Sequence, residues 1–349
     1  MINIEEILGK AAQAGASDVH LTVGLPPKMR VDGSLVSMQH PALAAADTQE
    51  AAAHVMSRVQ LDRLMECGEC DLAYAVPGRE RYRVNAFRQR EATALAFRLV
   101  ASQVPSPEAL GVPASVVDLY QRRRGLVLVT GPTGSGKSTT LAAVIDKVNE
   151  YREAHIITLE DPIEYYHPHK RSMVNQREIG VDTQSYAAAL RAALREDPDV
   201  ILVGEMRDYE TISVAVTAAE TGHLVLSTLH TIGAASTVDR IIDVFPPHQQ
   251  QQIRVQLANV LEAVVSQQLM PGAGGGRVAA FEVLHANTAV RNLIREGKSH
   301  QIANIMQTGR RQGMITMDDA ILELVRDGRI TRQTALSFAQ DPDSMEHRF

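Results

Sequence analysis

Apolar and polar residues alternate through much of the first hundred positions. The segments 19–23, 82–86 and 95–99 each place an apolar side chain at every second residue. Because successive side chains of a strand point to opposite faces, this period of two predicts half-buried β-strands. Together with a helix expected over about 48–65, these strands predict a small α+β domain over residues 1–100.

From residue 120 onward the pattern changes to short apolar runs separated by stretches with helical spacing. The runs cover 126–129, 156–159, 200–203 and 224–226. Continuous apolar strands that alternate with helices indicate a largely parallel sheet covered by helices on both faces. The expected fold class is therefore α/β, with a phosphate-binding core and the smaller α+β domain before it.

A segment rich in proline separates the two patterns. Three prolines and one glycine fall within residues 103–113, and neither a helix nor a central strand tolerates them well. We therefore expect a linker over 101–115 and a second domain over 116–349.

The end of the chain is expected to be helical. Apolar spacing predicts a helix over 253–264, and the glycine-rich segment 272–276 follows as a flexible loop. Short capped helices are expected over about 287–340, and a disordered polar tail after Asp341.

The composition is that of an ordinary folded chain. Of the 349 residues, 45% are hydrophobic and 22% charged, which is enough apolar surface to offset the entropy of ordering. The 35 basic and 41 acidic residues give a net charge of −6, so no overall positive field exists to hold nucleic-acid phosphates. No stretch approaches the roughly 20 apolar residues that span a bilayer, and Glu5 and Glu6 stand where a signal peptide would be basic or apolar. We expect a cytoplasmic protein with neither a membrane span nor a nucleic-acid partner.

The segment after the first apolar run of the second domain carries the strongest chemical signal. Residues 131–138 fit the pattern G-x-x-x-x-G-K-[S/T], between a predicted strand and a predicted helix. Glycines let consecutive backbone N–H groups converge on phosphate, and the positive end of the following helix adds to the attraction. We expect Lys137 to reach the β- and γ-phosphates of ATP and Ser138 to bind Mg²⁺. The expected phosphate-binding residues are Gly131, Pro132, Thr133, Gly134, Ser135, Gly136, Lys137, Ser138 and Thr139.

Two other apolar runs end in carboxylates, namely Glu205 after one and Glu160, Asp161 and Glu164 after another. Ligands of open α/β sheets lie at the carboxyl edge of the strands, so these groups are expected near the phosphate loop. Glu205 is expected to hold magnesium or position water, and Glu164 to polarise the attacking water. The alternatives are a chance carboxylate at a strand end and a solvated acidic turn.

Two histidines, His223 and His230, bracket the last apolar run. A neutral imidazole at the edge that faces the γ-phosphate could sense that group through a hydrogen bond. The alternative is that both are ordinary polar residues at strand ends.

Four arginines are candidates for contacts between subunits. Arg191 and Arg195 lie four residues apart on one predicted helix face. They are expected either to form surface salt bridges or to hold phosphate or carboxylate across a subunit boundary, which suits the guanidinium fork. Arg83 and Arg98 fall out of phase with the apolar rows of their strands and should project from the non-core face, with the same alternatives.

Together these motifs resemble the secretion and pilus ATPases, and within that family the pilus-retraction branch. The resemblance runs through the segments 15–21, 204–208, 217–231 and 289–298. The last of these resembles a C-terminal segment associated with retraction. The resemblance implies a RecA-like ATPase core, a small PAS-like N-terminal domain and C-terminal helices.

The resemblance also implies roles for the motifs. The phosphate loop corresponds to Walker A, and Glu205 matches the Walker B glutamate. The segment from Glu160 to Glu164 resembles the Asp box, with Glu164 as the catalytic acid, and His223 with His230 resembles the His box.

The same resemblance implies a homohexameric ring. In it Arg83 and Arg98 would contact the neighbouring subunit, and Arg191 and Arg195 would support the interface. Such a ring hydrolyses ATP with Mg²⁺ to retract type IV pili, which drives twitching motility. It would act at the cytoplasmic face of the inner membrane on the pilus platform protein, and through that protein on the pilins.

Several alternatives remain at this point. They are an accessory paralogue of the retraction branch, a type II or type IV secretion ATPase, a nucleotide-dependent regulator without turnover, and a RecA-like DNA motor. The net charge argues against the DNA motor. Pilus-extension ATPases typically carry a four-cysteine zinc motif, whereas Cys67 and Cys70 are the only cysteines here.

Overall fold

The computed structural model describes residues 3–31, 33–76, 80–100 and 104–349. The chain divides into two compact units, Met1–Gln103 and Val104–Phe349. The division falls within the segment 101–115, of which 101–103 lie outside the described residues. The remainder of that segment contains two short helices, Pro107–Leu110 and Ala114–Val117.

The N-terminal unit is an antiparallel sheet with helices packed on one face. Its elements are α1 (Ile4–Gln13), β1 (Asp18–Leu21), β2 (Lys28–Val31), β3 (Ser34–Ser37), α2 (Ala45–Val55), α3 (Arg58–Cys67), β4 (Glu69–Ala75), β5 (Arg81–Gln89) and β6 (Ala92–Val100). Within the described residues the six strands have the order β3-β2-β1-β6-β5-β4. Alternate side chains such as Val84 and Phe97 are buried in the core, whereas Arg83 and Arg98 lie opposite each other on the exposed face, as the alternation predicts.

The single helix predicted over 48–65 is two helices. Ser57 breaks it, because its side chain accepts a hydrogen bond from the backbone N–H of Gln60 while the Gln60 side chain accepts one from the Ser57 N–H. This reciprocal capping box starts α3 in a new direction from α2.

The C-terminal unit contains a second sheet and most of the helices of the chain. Its elements are α4 (Pro107–Leu110), α5 (Ala114–Val117), β7 (Gly125–Thr130), α6 (Lys137–Tyr151), β8 (His155–Glu160), β9 (Met173–Glu178), α7 (Tyr186–Ala193), β10 (Val200–Val203), α8 (Tyr209–Glu220), β11 (Leu224–Leu229), α9 (Ala234–Asp243), α10 (Gln250–Val260), β12 (Leu261–Pro271), β13 (Arg277–His285), α11 (Thr288–Arg295), α12 (Ile302–Thr308), α13 (Met317–Arg326), α14 (Arg332–Phe338) and α15 (Pro342–Glu346).

This sheet is mostly parallel and has the order β13-β12-β7-β11-β10-β8-β9 among the described residues. Only the edge pair of β12 and β13 is antiparallel. Leu126 and Leu128 of β7 face one helical layer, and Val127 and Val129 face the other. Because both faces are covered, the central strands β7, β10 and β11 are buried throughout, which confirms the α/β fold class predicted from the apolar runs.

Two predictions near the C-terminus are wrong. The helix predicted over 253–264 ends at Val260, and the chain continues directly into β12, whose residues Leu261 and Val264 are buried. A short apolar run has no period that separates helix from buried strand. The tail after Asp341, predicted to be disordered, forms α15 and buries Met345 against the C-terminal helices. No helix in the described part of the chain has both the length and the hydropathy needed to cross a bilayer.

Candidate active site

The phosphate loop connects the end of β7 to the start of α6. Three of its glycines, Gly131, Gly134 and Gly136, have positive φ angles of 141°, 79° and 88°, which residues with a side chain rarely adopt. A Cβ on Gly131 would lie 2.2 Å from the backbone oxygen of Gln267 on β12. The loop is therefore shaped by its own glycines and by close approach to the neighbouring strand.

Gly131→Ala tests this close approach. We expect it to lower the free energy of unfolding by about 1–3 kcal/mol more than Gly134→Ala does, because a methyl group at Gly131 overlaps backbone that cannot move aside. Gly134 also has a positive φ, but no atom of the described residues lies within 4 Å of its Cβ position. The difference between the two variants therefore measures the effect of the overlap at Gly131. Denaturant unfolding measures both, and equal losses would contradict the packing of the loop on β12.

Lys137 lies at the first position of α6 and is buried. Its Nζ donates hydrogen bonds to the backbone oxygens of Gly131 (2.9 Å) and Pro132 (3.0 Å), so the amine closes the loop on itself. Burial lowers the pKa of Lys137, and the negative charges of Glu205 and Glu164 act in the opposite direction. Both carboxylates are thus close enough to interact electrostatically with the amine.

A cleft of about 340 Å³ opens beside this loop. The carboxyl ends of β7, β11, β10 and β8, which are consecutive in the sheet, all reach it. The structure brings together in its lining the predicted residues Thr133, Gly134, Lys137, Ser138, Glu160, Asp161, Glu164, Glu205 and His230. Parallel strand topology is what gathers these side chains from positions a hundred residues apart.

Two side chains, Arg207 and His230, contact the carboxylate of Glu205. Its Oε2 lies 2.8 Å from Nη2 of Arg207 and 3.5 Å from Nε2 of His230. The other ring nitrogen of His230 is 3.4 Å from the hydroxyl of Thr133 in the phosphate loop. A neutral imidazole with its proton on Nε2 can therefore link the phosphate loop to Glu205.

The acidic segment after β8 separates into two environments. Glu160 accepts hydrogen bonds from the Thr158 hydroxyl (2.6 Å) and from Nε2 of Gln176 (3.1 Å), and burial raises its pKa. Asp161 and Glu164 are exposed in the cleft. Glu160 is therefore held by hydrogen-bond donors of the protein, whereas Asp161 and Glu164 are the carboxylates of this segment that can face a ligand.

His223 does not lie in the cleft of this chain. It precedes the six-residue strand β11 and His230 follows it, which separates the two histidines by about 20 Å. The Nδ1 of His223 is 2.9 Å from the backbone oxygen of Ala218 and 3.2 Å from the hydroxyl of Thr221. Its role in the His box stays a prediction.

The four arginines also lie outside this cleft. Arg191 forms an exposed ion pair with Glu210 (2.5 Å), and Arg195 is exposed just beyond the end of α7. In the N-terminal unit, Nε of Arg98 donates to Oδ1 of Asp18 (2.9 Å). Their roles between subunits stay predictions.

Three residues of the site were not predicted from the sequence. Gln267 accepts a hydrogen bond from the Thr140 hydroxyl (2.8 Å), and the Tyr165 hydroxyl lies 3.1 Å from that of Thr139. Arg207 bonds Glu205. Of these three, only Arg207 could have been predicted, because it follows Glu205 by two positions. Nothing in the sequence links Gln267 on β12 to the phosphate loop.

The cleft offers the oxygen donors that magnesium prefers. Ser138 and Glu205 both line it, and hard cations take carboxylate and hydroxyl oxygens together with substrate phosphates. The buried hydroxyl of Ser135, inside the phosphate loop, has no hydrogen-bond partner among the residues that the structure describes. The described residues contain no group of three or more His, Cys, Asp or Glu side chains placed to hold a metal ion.

Comparison with known protein families matches residues 1–337 to the family described as type II/IV secretion system protein. The chain belongs to this family. Among curated members, it is 48% identical over 98% of its length to the whole of the type IV pilus retraction ATPase PilT of Pseudomonas aeruginosa. It is 40% identical over 99% of its length to 90% of the type IV pilus ATPase PilU of the same organism.

A solved structure of the same family confirms the architecture. The pilus retraction motor PilT with bound ADP superposes with a TM-score of 0.93 at 49% identity, covering 99% of this chain and all of that one. The resemblance to secretion and pilus ATPases with a RecA-like core, expected from the sequence, is confirmed.

Proposed function

We propose that this chain is an ATP-hydrolysing motor that powers the retraction of type IV pili. The observation that carries the proposal is the single cleft into which the phosphate loop, Glu164, Glu205 and His230 all open. The similarity to a named pilus retraction ATPase, which extends over nearly the whole chain, supports the proposal that the pilus is the load of this motor.

Each group in the cleft has a chemical part in the proposal. The loop amides and Lys137 bind the phosphates of ATP, and Ser138 and Glu205 hold Mg²⁺, which neutralises charge on the phosphate oxygens. Glu164, one of the two exposed carboxylates after β8, polarises the attacking water. His230 connects the phosphate loop to Glu205 and so registers whether the γ-phosphate is present.

The nucleoside is proposed to lie in a second hollow beside the phosphate loop. This hollow is lined by Gly136, Thr139 and Tyr165 and extends to Leu110 and Arg277. It combines apolar surface with a guanidinium, which suits a purine base and its ribose.

The proposed working form is a homohexameric ring. An interface that repeats head to tail and closes makes a ring, and a change of angle at each interface moves whatever docks on its face. The proposed inter-subunit arginines are Arg83, Arg98, Arg191 and Arg195, and His223 is proposed to belong to the His box. We place the ring at the cytoplasmic face of the inner membrane, where the pilus platform protein transmits its motion to the pilins.

An accessory retraction ATPase is the second candidate. The 40% identity to PilU over nearly the whole chain favours it as an alternative, and the higher identity to PilT favours the primary motor. The shared fold and site give both the same chemistry.

The test is a deletion strain of a piliated host, followed by imaging of labelled pili. We expect the strain to keep surplus pili that do not retract, and expect wild-type protein, but not a variant without the Lys137 amine, to restore retraction. Restoration in a strain that lacks every retraction ATPase would identify the primary motor. Absent pili or a loss of protein secretion in the deletion strain would contradict the proposal.

A further inference from the structure

A buried carboxylate outside the cleft connects the C-terminal helices to the segment that carries His230. Glu282 lies on β13 and is 5% exposed. Its Oε1 accepts a hydrogen bond from the backbone N–H of Ala234 (2.6 Å), and its Oε2 accepts one from the N–H of Met317 (3.1 Å). These two donors are the first residues of α9 and α13, so one side chain binds the N-termini of two helices.

The first of these helices follows directly from the active site. Residues 230–233, the His230 loop, run from the end of β11 to the start of α9. Gly233, the N-cap of α9, has no side chain with which to cap the helix, and its N–H donates to the Ser266 hydroxyl (3.0 Å). Glu282 and Ser266 therefore fix the far end of the loop whose near end is His230.

The second helix belongs to the C-terminal segment. Thr316 already caps α13 through the N–H of Asp319, so this helix does not need Glu282 for local capping. The Gln340 side chain, beyond α14, lies beside the Glu282 carboxylate: a Cβ on Gly233 would be 3.5 Å from Nε2 of Gln340 and 3.8 Å from Oε1 of Glu282. The C-terminal helices thus reach the His230 loop through Glu282 and Gln340.

The chemistry requires a carboxylate at this position. Two backbone N–H groups bind its two oxygens, one on each. A carboxylate offers an acceptor at both positions, whereas an amide would direct its own N–H₂ group against one of these donors. The positive ends of two helices also stabilise the negative charge. Burial raises the pKa of Glu282, and the N–H groups of Ala234 and Met317 act in the opposite direction. These two donors therefore offset part of the cost of burying the charged form.

We infer that Glu282 is a positioning residue for His230, through which the C-terminal helices set the geometry of the ATP site. This inference rests on the proposed function, because it assigns Glu282 an effect on ATP turnover. It adds a role for β13 and for the helices after residue 316 that neither the nucleotide motifs nor the cleft lining includes.

The experiment is a double-mutant cycle on purified full-length protein. We expect Glu282→Gln to lower kcat by about 10-fold, because a misplacement of about 1 Å can cost about 100-fold and a smaller displacement of His230 should cost less. KM for ATP should stay unchanged, because other residues hold the phosphate loop. In a His230→Ala background, Glu282→Gln should cause no further loss, because residues that act as a unit are not additive. Equal losses in both backgrounds would show a merely structural role and overturn the inference.

Gln340→Ala provides a second variant that keeps both backbone hydrogen bonds of Glu282. We expect it to lower kcat in the same direction, and to do so only when His230 is present. Gln333→Ala, an exposed change on α14, is the matched control and should keep the wild-type rate. A Gln340 variant with the rate of the Gln333 control would also overturn the inference. A wild-type protein without ATP turnover would instead refute the proposed function.

Discussion

Lys137→Ala is expected to lower ATP turnover by about 10²–10³-fold, which is the usual cost of removing one preorganised hydrogen-bond donor from an active site. The amine is the only buried lysine of the described residues and lies between the backbone of the phosphate loop and the carboxylates Glu205 and Glu164. Without it the loop loses the two hydrogen bonds to Gly131 and Pro132. Nucleotide affinity should fall as well, because the β- and γ-phosphates lose their cation.

Lys147→Ala is the matched control for this variant. Lys147 lies on the same helix, α6, and pairs with Glu150 at its surface (3.4 Å), away from the cleft. The Lys147→Ala variant also removes one positive charge, but it should leave ATP turnover unchanged. Steady-state phosphate release and binding of a fluorescent ATP analogue measure both variants. Wild-type turnover in the Lys137 variant would remove the phosphate loop from the catalytic site.

The parts of the site that could be predicted are those whose signal is local. The phosphate loop is a contiguous pattern, and the strand 200–203 was predicted at the bounds that the structure shows. Glu205 and Glu164 then follow from topology, because parallel strands end at one edge of the sheet. The alternation that exposes Arg83 and Arg98 is local in the same sense.

The parts that could not be predicted depend on tertiary neighbours. Gln267 supports the phosphate loop from β12, a strand that begins where a helix was expected to continue. The apolar run around Leu261 satisfies either structure, and only its place beside β7 makes it a strand. Glu282 gave no signal for the same reason, since its partners Ala234 and Met317 are distant in sequence.

Glu205→Gln is expected to lower ATP turnover by about 10²–10⁴-fold while ATP still binds, because that range is what a positioned proton-transfer or charge-stabilising group contributes. Glutamine keeps the shape of the side chain, so the phosphate loop and Lys137 remain in place. It removes the negative charge that Arg207 and His230 face at 2.8 and 3.5 Å. It also removes the charged oxygen proposed to hold Mg²⁺, so the magnesium concentration for half-maximal turnover should rise.

Comparison with Glu164→Gln separates the two carboxylates. If Glu164 polarises water and Glu205 holds the cation, the Glu164 variant loses turnover without a change in its magnesium dependence, whereas the Glu205 variant changes in both. Glu153→Gln serves as the control, since Glu153 is exposed and pairs with Arg171 at the surface (2.8 Å). Single-turnover phosphate release across a magnesium titration measures all three. A Glu205 variant with the turnover and magnesium dependence of the Glu153 control would show that the strand β10 does not deliver its carboxylate to the reacting phosphate.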